Sequence, residues 1–131
     1  MYGQHITIAG PFPQAVDKVT AALKQEGFGV LSDIDVQKAM KDKLGADMPA
    51  YRILGACNPS LAHAALQVEP EIGLLLPCNV TVRELPGGKI GVGFLDPQLM
   101  VQLTGNAAID KVAKEAAERL ARARNALASQ G

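Results

Sequence analysis

The chain has 131 residues and a mass of 13.7 kDa, the size of one domain with one core. Its 48% hydrophobic and 20% charged residues exclude intrinsic disorder. Thirteen basic side chains balance thirteen acidic ones, and aromatics are 4% with no Trp, which argues against a nucleic-acid binder, an anionic-membrane binder or a base-stacking platform.

In chain order, residues 4–9 (Gln-His-Ile-Thr-Ile-Ala) alternate as a first strand, which Gly10-Pro11 breaks. Pro13 suits a first helical turn, and Phe12, Val16, Val19 and Leu23 repeat at helical spacing up to Gly27. Phe28 to Val36 reads as a second strand, with Phe28, Val30, Ser32, Ile34 and Val36 on one face. Gly29, Leu31, Asp33 and Asp35 fall on the other. A short helix follows over about 36 to 44, closed by Gly45, and Ala46 to Pro49 is a loop.

Tyr51 to Ala56 is a third, apolar strand running into Cys57-Asn58-Pro59-Ser60, where Asn58 is a good N-cap and Pro59 a good first helical residue. That helix is expected to reach about Gln67. Gly73 to Leu85 reads as a strand interrupted by Pro77, which implies an edge, a bulge or a bend. Leu85 to Lys89 is a hairpin turn, Lys89 to Leu95 returns, and Asp96-Pro97 opens a short helix to about Leu103. In the last helix Ile109, Val112, Ala113, Ala116, Leu120, Ala123 and Leu127 form one apolar stripe. Glu115–Arg119 and Glu118–Arg122 are (i, i+4) pairs on its opposite, solvated side. The hairpin demands an antiparallel pair, so the element order predicts an α+β fold in a single domain over 1–131.

Met1 to His5 lacks the basic region of a secretory signal, and no apolar run approaches the roughly 20 residues that span a bilayer. A cytoplasmic protein with reduced thiols and no membrane partner is expected; Asn79-Val80-Thr81 then matches a glycosylation acceptor without consequence. The only cysteines, Cys57 and Cys78, sit in two similar segments, Leu54-Gly-Ala-Cys57-Asn58-Pro-Ser60 and Leu75-Leu-Pro-Cys78-Asn79-Val-Thr81. Cys57 stands just ahead of a helix N-cap, where free N–H groups and the helix dipole favour a thiolate. Asn58 has a capping role, whereas Asn79, inside a strand, either satisfies the bend at Pro77 or faces a pocket. Three readings of the cysteines stand side by side: small buried hydrophobes, a thiol site for soft metal, haem or redox chemistry, or turns that line a small-molecule pocket. A closed zinc site of both cysteines with His5 and His63 matches no zinc spacing, and His63 falls on a helix as a surface residue. Asp33 and Asp35 share a strand face, as carboxylates of an acid/base or cation site do, although helix capping or a solvated face explains them more cheaply. No dinucleotide fingerprint, phosphate loop or nucleophile elbow is present.

The stretch from Gly27 to Pro97 resembles the domain of unknown function 302 family of small prokaryotic proteins. The resemblance rests on Glu26-Gly-Phe-Gly-Val-Leu-Ser-Asp-Ile-Asp-Val36, Tyr51-Arg-Ile-Leu-Gly-Ala-Cys-Asn-Pro59, Glu69-Pro-Glu-Ile-Gly-Leu-Leu-Leu-Pro-Cys-Asn79 and Asp96-Pro97. It implies an α+β fold of the TATA-box-binding-protein-like class, with helices on one face of an antiparallel sheet, and a homodimer. It implies no agreed reaction and leaves the cofactor unknown, and members of the wider family can have Gly or another residue at the place of Cys57, with Asn58-Pro59 kept. Nor does that fold class bring DNA binding with it. The sequence therefore leads to a cytosolic, homodimeric ligand-binding or accessory module without turnover, its site built from Cys57, Asn58, Pro77, Cys78 and Asn79, with Asp33 and Asp35 as outlying candidates. Its ligand would be a small molecule or a soft metal. The alternative is a thiol-dependent redox or sulfur-carrying protein with Cys57 as nucleophile and Cys78 as its resolving partner.

Overall fold

The computed structural model describes residues 2–130, so Met1 and Gly131 of the expected 1–131 domain lie outside the described residues. Five strands, Gly3–Ala9 (β1), Gly29–Asp35 (β2), Tyr51–Cys57 (β3), Cys78–Glu84 (β4) and Lys89–Leu95 (β5), form one antiparallel sheet in the order β1-β5-β4-β3-β2. Five helices accompany it: Phe12–Gln25 (α1), Val36–Leu44 (α2), Pro59–Val68 (α3), Gln98–Thr104 (α4) and Asp110–Gln130 (α5). The fold is α+β, as expected.

Side chains alternate across a strand and directly paired residues share a face, so the register assigns every position to a side. Leu54, Val80 and Phe94 lie across from one another on β3, β4 and β5, and so do Val82 and Val92, with Ile90 beside Ile8 of β1. All are buried on the face that the helices cover. Onto this face α5 lays Ala113, Ala116, Leu120, Ala123 and Leu127, and α1 lays Ala15, Val16, Val19, Ala22 and Leu23. Burying each leucine there contributes about 1.5–3 kcal/mol. The alanines let the two helices approach the sheet and each other closely. α2 buries no residue; Asp35 caps it by accepting from the Lys38 N–H at 2.9 Å, and Gly45 ends it at φ 66°.

The structure corrects three expectations. Gly73 to Leu85 is not one strand: Pro70–Leu75 forms a 3-10 helix and β4 starts only at Cys78. An apolar run of this length is compatible with either element, and Pro70 at the first helical position decides for the turn. Burial shows the difference, since Ile72 is 0% exposed and Leu74 82% exposed. The even alternation across Phe28 to Val36 is also broken, by a bulge between Val30 and Ser32. Val30 pairs with Ala56 on the helix side, whereas Ser32 and Ile34 pair with Gly55 and Ile53 on the other, so Asp33 and Asp35 share Val30's side instead. Finally, Arg122 does not pair with Glu118. Its Nε donates to Glu26 Oε1 at 2.7 Å, while Arg119 donates to Glu115 at 3.1 Å as expected and also to the Glu26 carbonyl at 3.2 Å. The C-terminal helix thus holds the α1–β2 turn, a partnership between residues far apart in the chain.

If Pro70–Leu75 packs as described, Ile72→Ala costs about 2–5 kcal/mol of stability, and Leu74→Ala stays within about 0.5 kcal/mol. Urea denaturation of both variants checks this; equal losses would restore the strand.

Candidate functional site

Four of the seven sequence-nominated residues meet at one place. β3 ends at Cys57, and Asn58 caps α3 by accepting from the Leu61 N–H at 3.2 Å. β4 begins at Cys78, which lies across from Ala56, one position before Cys57. The two segments therefore come together because β3 and β4 are neighbours. Cys57, Asn58, Pro77 and Cys78 line a cavity of about 30 Å³ together with apolar side chains that include Phe28, Leu61, Leu76 and Met100. Its walls offer a ligand no exposed polar surface.

The two thiols differ. Cys57 is half-buried and Cys78 buried, and no disulfide joins them. Burial pushes the Cys78 thiol up to about 11, with the neighbouring Cys57 adding to the shift. At neutral pH Cys78 is a protonated, apolar wall of the cavity. Cys57 is the accessible sulfur of the pair.

The remaining nominated residues lie elsewhere. Asn79 follows Cys78 directly and so lies on the opposite face of β4, where it borders a shallow groove with His5, Thr81 and Gly93. Asp33 is clamped by Arg52: its Oδ1 accepts from Arg52 Nε at 2.7 Å, and its second oxygen accepts from Nη2. This fork holds the Asp33 carboxyl below the usual carboxylate range, chiefly through the hydrogen bonds and further through the guanidinium charge, against an opposing effect of burial. Asp35 caps α2. Both aspartates thus have structural partners. His63 lies on α3, its Nε2 3.4 Å from Gln67 Nε2, and His5 lies on β1. Among the described residues no three His, Cys, Asp or Glu side chains are grouped to hold a metal ion.

Sequence reasoning overlooked His5, Thr81 and Gly93 as a group. They belong to three strands joined only by pairing, His5 to Gly93 and Gly93 to Thr81. The one signal in the sequence was glycine inside a strand, which often marks a close approach.

Comparison with known proteins gives the class. Residues 4–127 match the family described as "Domain of unknown function DUF302". The chain belongs to that family. A solved structure, the "Crystal structure of uncharacterized conserved protein DUF302 from Bacillus stearothermophilus", superposes with a TM-score of 0.88 at 27% identity, covering 97% of this chain and 98% of that one. No curated protein matches.

Because the folded state holds the Cys78 proton more tightly than the unfolded chain, its contribution to stability is complete below the ordinary value of 9.0 and is lost as pH rises towards about 11. Wild-type stability should therefore fall more steeply over that interval than that of Cys78→Ala, by up to about 1 kcal/mol per pH unit. Denaturation midpoints measured across the interval check this, and parallel curves would contradict it. Iodoacetamide at neutral pH is expected to label Cys57 in the folded protein and Cys78 only after unfolding, as read by peptide mass spectrometry.

Proposed function

We propose that this protein is a non-catalytic, homodimeric cytosolic binding module, and that the Cys57–Asn58–Pro77–Cys78 cavity receives a single soft ion rather than an organic molecule. The observation that carries this reading is the cavity itself, at about 30 Å³, lined by residues of both Cys-Asn segments. Organic ligands occupy cavities of roughly 300–1,000 Å³, whereas a guest the size of one water molecule needs only about 10–15 Å³ of such space. Apolar walls and two sulfurs favour a soft, weakly hydrated ion over water or a hard cation. Binding would displace the Cys78 proton, and the resulting thiolate would lose its burial penalty to the ion's charge. Homodimer formation is supported by Leu31 and Ile34, two large apolar side chains left exposed on edge strand β2.

The redox alternative needs Cys78 as a resolving thiolate, and a thiol at about 11 is a poor one at neutral pH. That is why the binding reading is preferred.

Titration of the reduced protein with Ag(I), followed by native mass spectrometry, tests the proposal. One ion per chain is expected, with both thiols lost to a disulfide reagent at that single equivalent. Cys57→Ser and Cys78→Ala should each weaken binding by about 100-fold or more, since each leaves a single sulfur donor. Two independent ions per chain, or unchanged binding in Cys78→Ala, would overturn it. A native mass of twice 13.7 kDa is expected, and a monomer would remove the dimer from the proposal.

A further inference from the structure

On the face of the sheet that the helices leave uncovered, the register lays out a grid. Ser32, Gly55 and Asn79 form one row, continued past the end of the β4–β5 ladder by the Leu95–Gly3 pair, and Ile34, Ile53, Thr81, Gly93 and His5 form the next. Tyr51, Arg83, Gly91 and Thr7 form the third. These rows contain no carboxylate, although the chain has thirteen acidic residues. They do contain Arg83 and the imidazole of His5.

Three glycines stand inside the central strands on this face, where glycine weakens a sheet. All three are met by the chain's own side chains: Ser32 Oγ and Pro77 lie against Gly55, the Pro77 Cγ 2.7 Å from where a Cβ would be, and Leu85 covers Gly91 at 3.3 Å. Gly93 alone has a polar side chain from each neighbouring strand over it. A Cβ there would meet Thr81 Oγ1 at 2.7 Å and the His5 ring at 3.2–3.3 Å. Its hydrogen thus lets a hydroxyl from one neighbouring strand and an imidazole from the other lean towards one point. Asn79 is one row away, and the groove these residues border with Tyr2 and Leu95 measures about 210 Å³. Among the described residues, the side chains of His5, Asn79 and Thr81 make no hydrogen bond. Asn is also out of place in a central strand, where β-branched and aromatic residues are favoured.

We propose that this groove binds a small organic carboxylate: the anion between Thr81 Oγ1, the His5 ring N–H and the Asn79 carboxamide N–H, its apolar body against Leu95 and Tyr2. Hydrogen bonds to an ionised acceptor are roughly twice as strong as neutral ones, and the absence of carboxylates from these rows leaves nothing on them to repel the ligand. A cavity of about 150 Å³ takes benzene, so a groove of about 210 Å³ has room for a ring of that size bearing a carboxylate. This site is independent of the cysteine cavity, with which it shares no lining residue.

The test is an NMR titration of the full-length protein with benzoate, with benzamide as the neutral control. Benzoate should shift the amides of Gly3, His5, Thr81 and Gly93 with a dissociation constant near 1 mM, an affinity ordinary for so small a ligand. Benzamide should leave them unmoved. Thr81→Val keeps the shape of the side chain and removes only the hydroxyl, and Asn79→Ala removes the amide; each should weaken binding about tenfold while the remaining spectrum is retained. Gly93→Ala should abolish binding, and thermal denaturation would show whether that chain stays folded. Shifts scattered over the surface, equal response to benzamide, or binding unchanged in Thr81→Val would each overturn the proposal.

Discussion

The structure depends on the period-two alternation of β4, the middle strand of the sheet. Cys78, Val80 and Val82 point towards the helices and are buried, while Asn79 and Thr81 lie on the other side. A strand with both faces covered would be apolar throughout; one with a single helix layer has to alternate. From this constraint follow the position of α1 and α5, the apolar lining of the cysteine cavity and the exposure of the opposite face. Shifting β4 by one residue would bury Asn79 and Arg83 and expose the valines, a change no local interaction could offset.

The same alternation explains how two neighbours in sequence come to belong to two places. Cys78 and Asn79 are adjacent, yet a peptide bond within a strand separates the faces of the sheet. Cys78 ends among Phe28, Leu76 and Met100, and Asn79 beside His5, Thr81 and Gly93. The similarity of the two Cys-Asn segments is therefore only partly structural. Asn58 lies at a strand-to-helix junction and caps α3, whereas Asn79 lies inside a strand and caps nothing.

Long-range contacts complete the frame. The turn between α1 and β2 is held from the far end of the chain by Arg119 and Arg122, which converge on Glu26. Arg119 Nη1 lies 3.4 Å, and the Asn58 side-chain nitrogen 2.9 Å, from where a side chain on Gly27 would begin. The backbone there, at φ 84°, is also one that glycine adopts without strain. The wall of the cysteine cavity near Asn58 is in this way braced by α5. An exposed ion pair alone contributes little, but here charge and a backbone hydrogen bond act on one turn.

By itself the sequence determined whatever depends on local pattern: the stripe of α5, the caps at Asn58 and Gly45, and the hairpin at Pro86-Gly87-Gly88. Each is set by residues a few positions apart, where periodicity and backbone preference act directly. The order of these elements gave the α+β class, and the resemblance of segments spread along the chain gave the family. Only the tertiary structure decided that Pro70–Leu75 is a 3-10 helix, that a bulge moves Asp33 onto the side where Arg52 clamps it, and that Arg122 reaches Glu26 in place of Glu118. It alone, too, joined His5, Gly93 and Thr81 across three strands. The reason is common to all four: the competing local choices differ by a fraction of the energy that packing and pairing with distant residues supplies. The composition, neutral overall with two cysteines, is unevenly distributed in space. The acids stand off the central rows of the uncovered face, and the cysteines line one cavity beneath the helices.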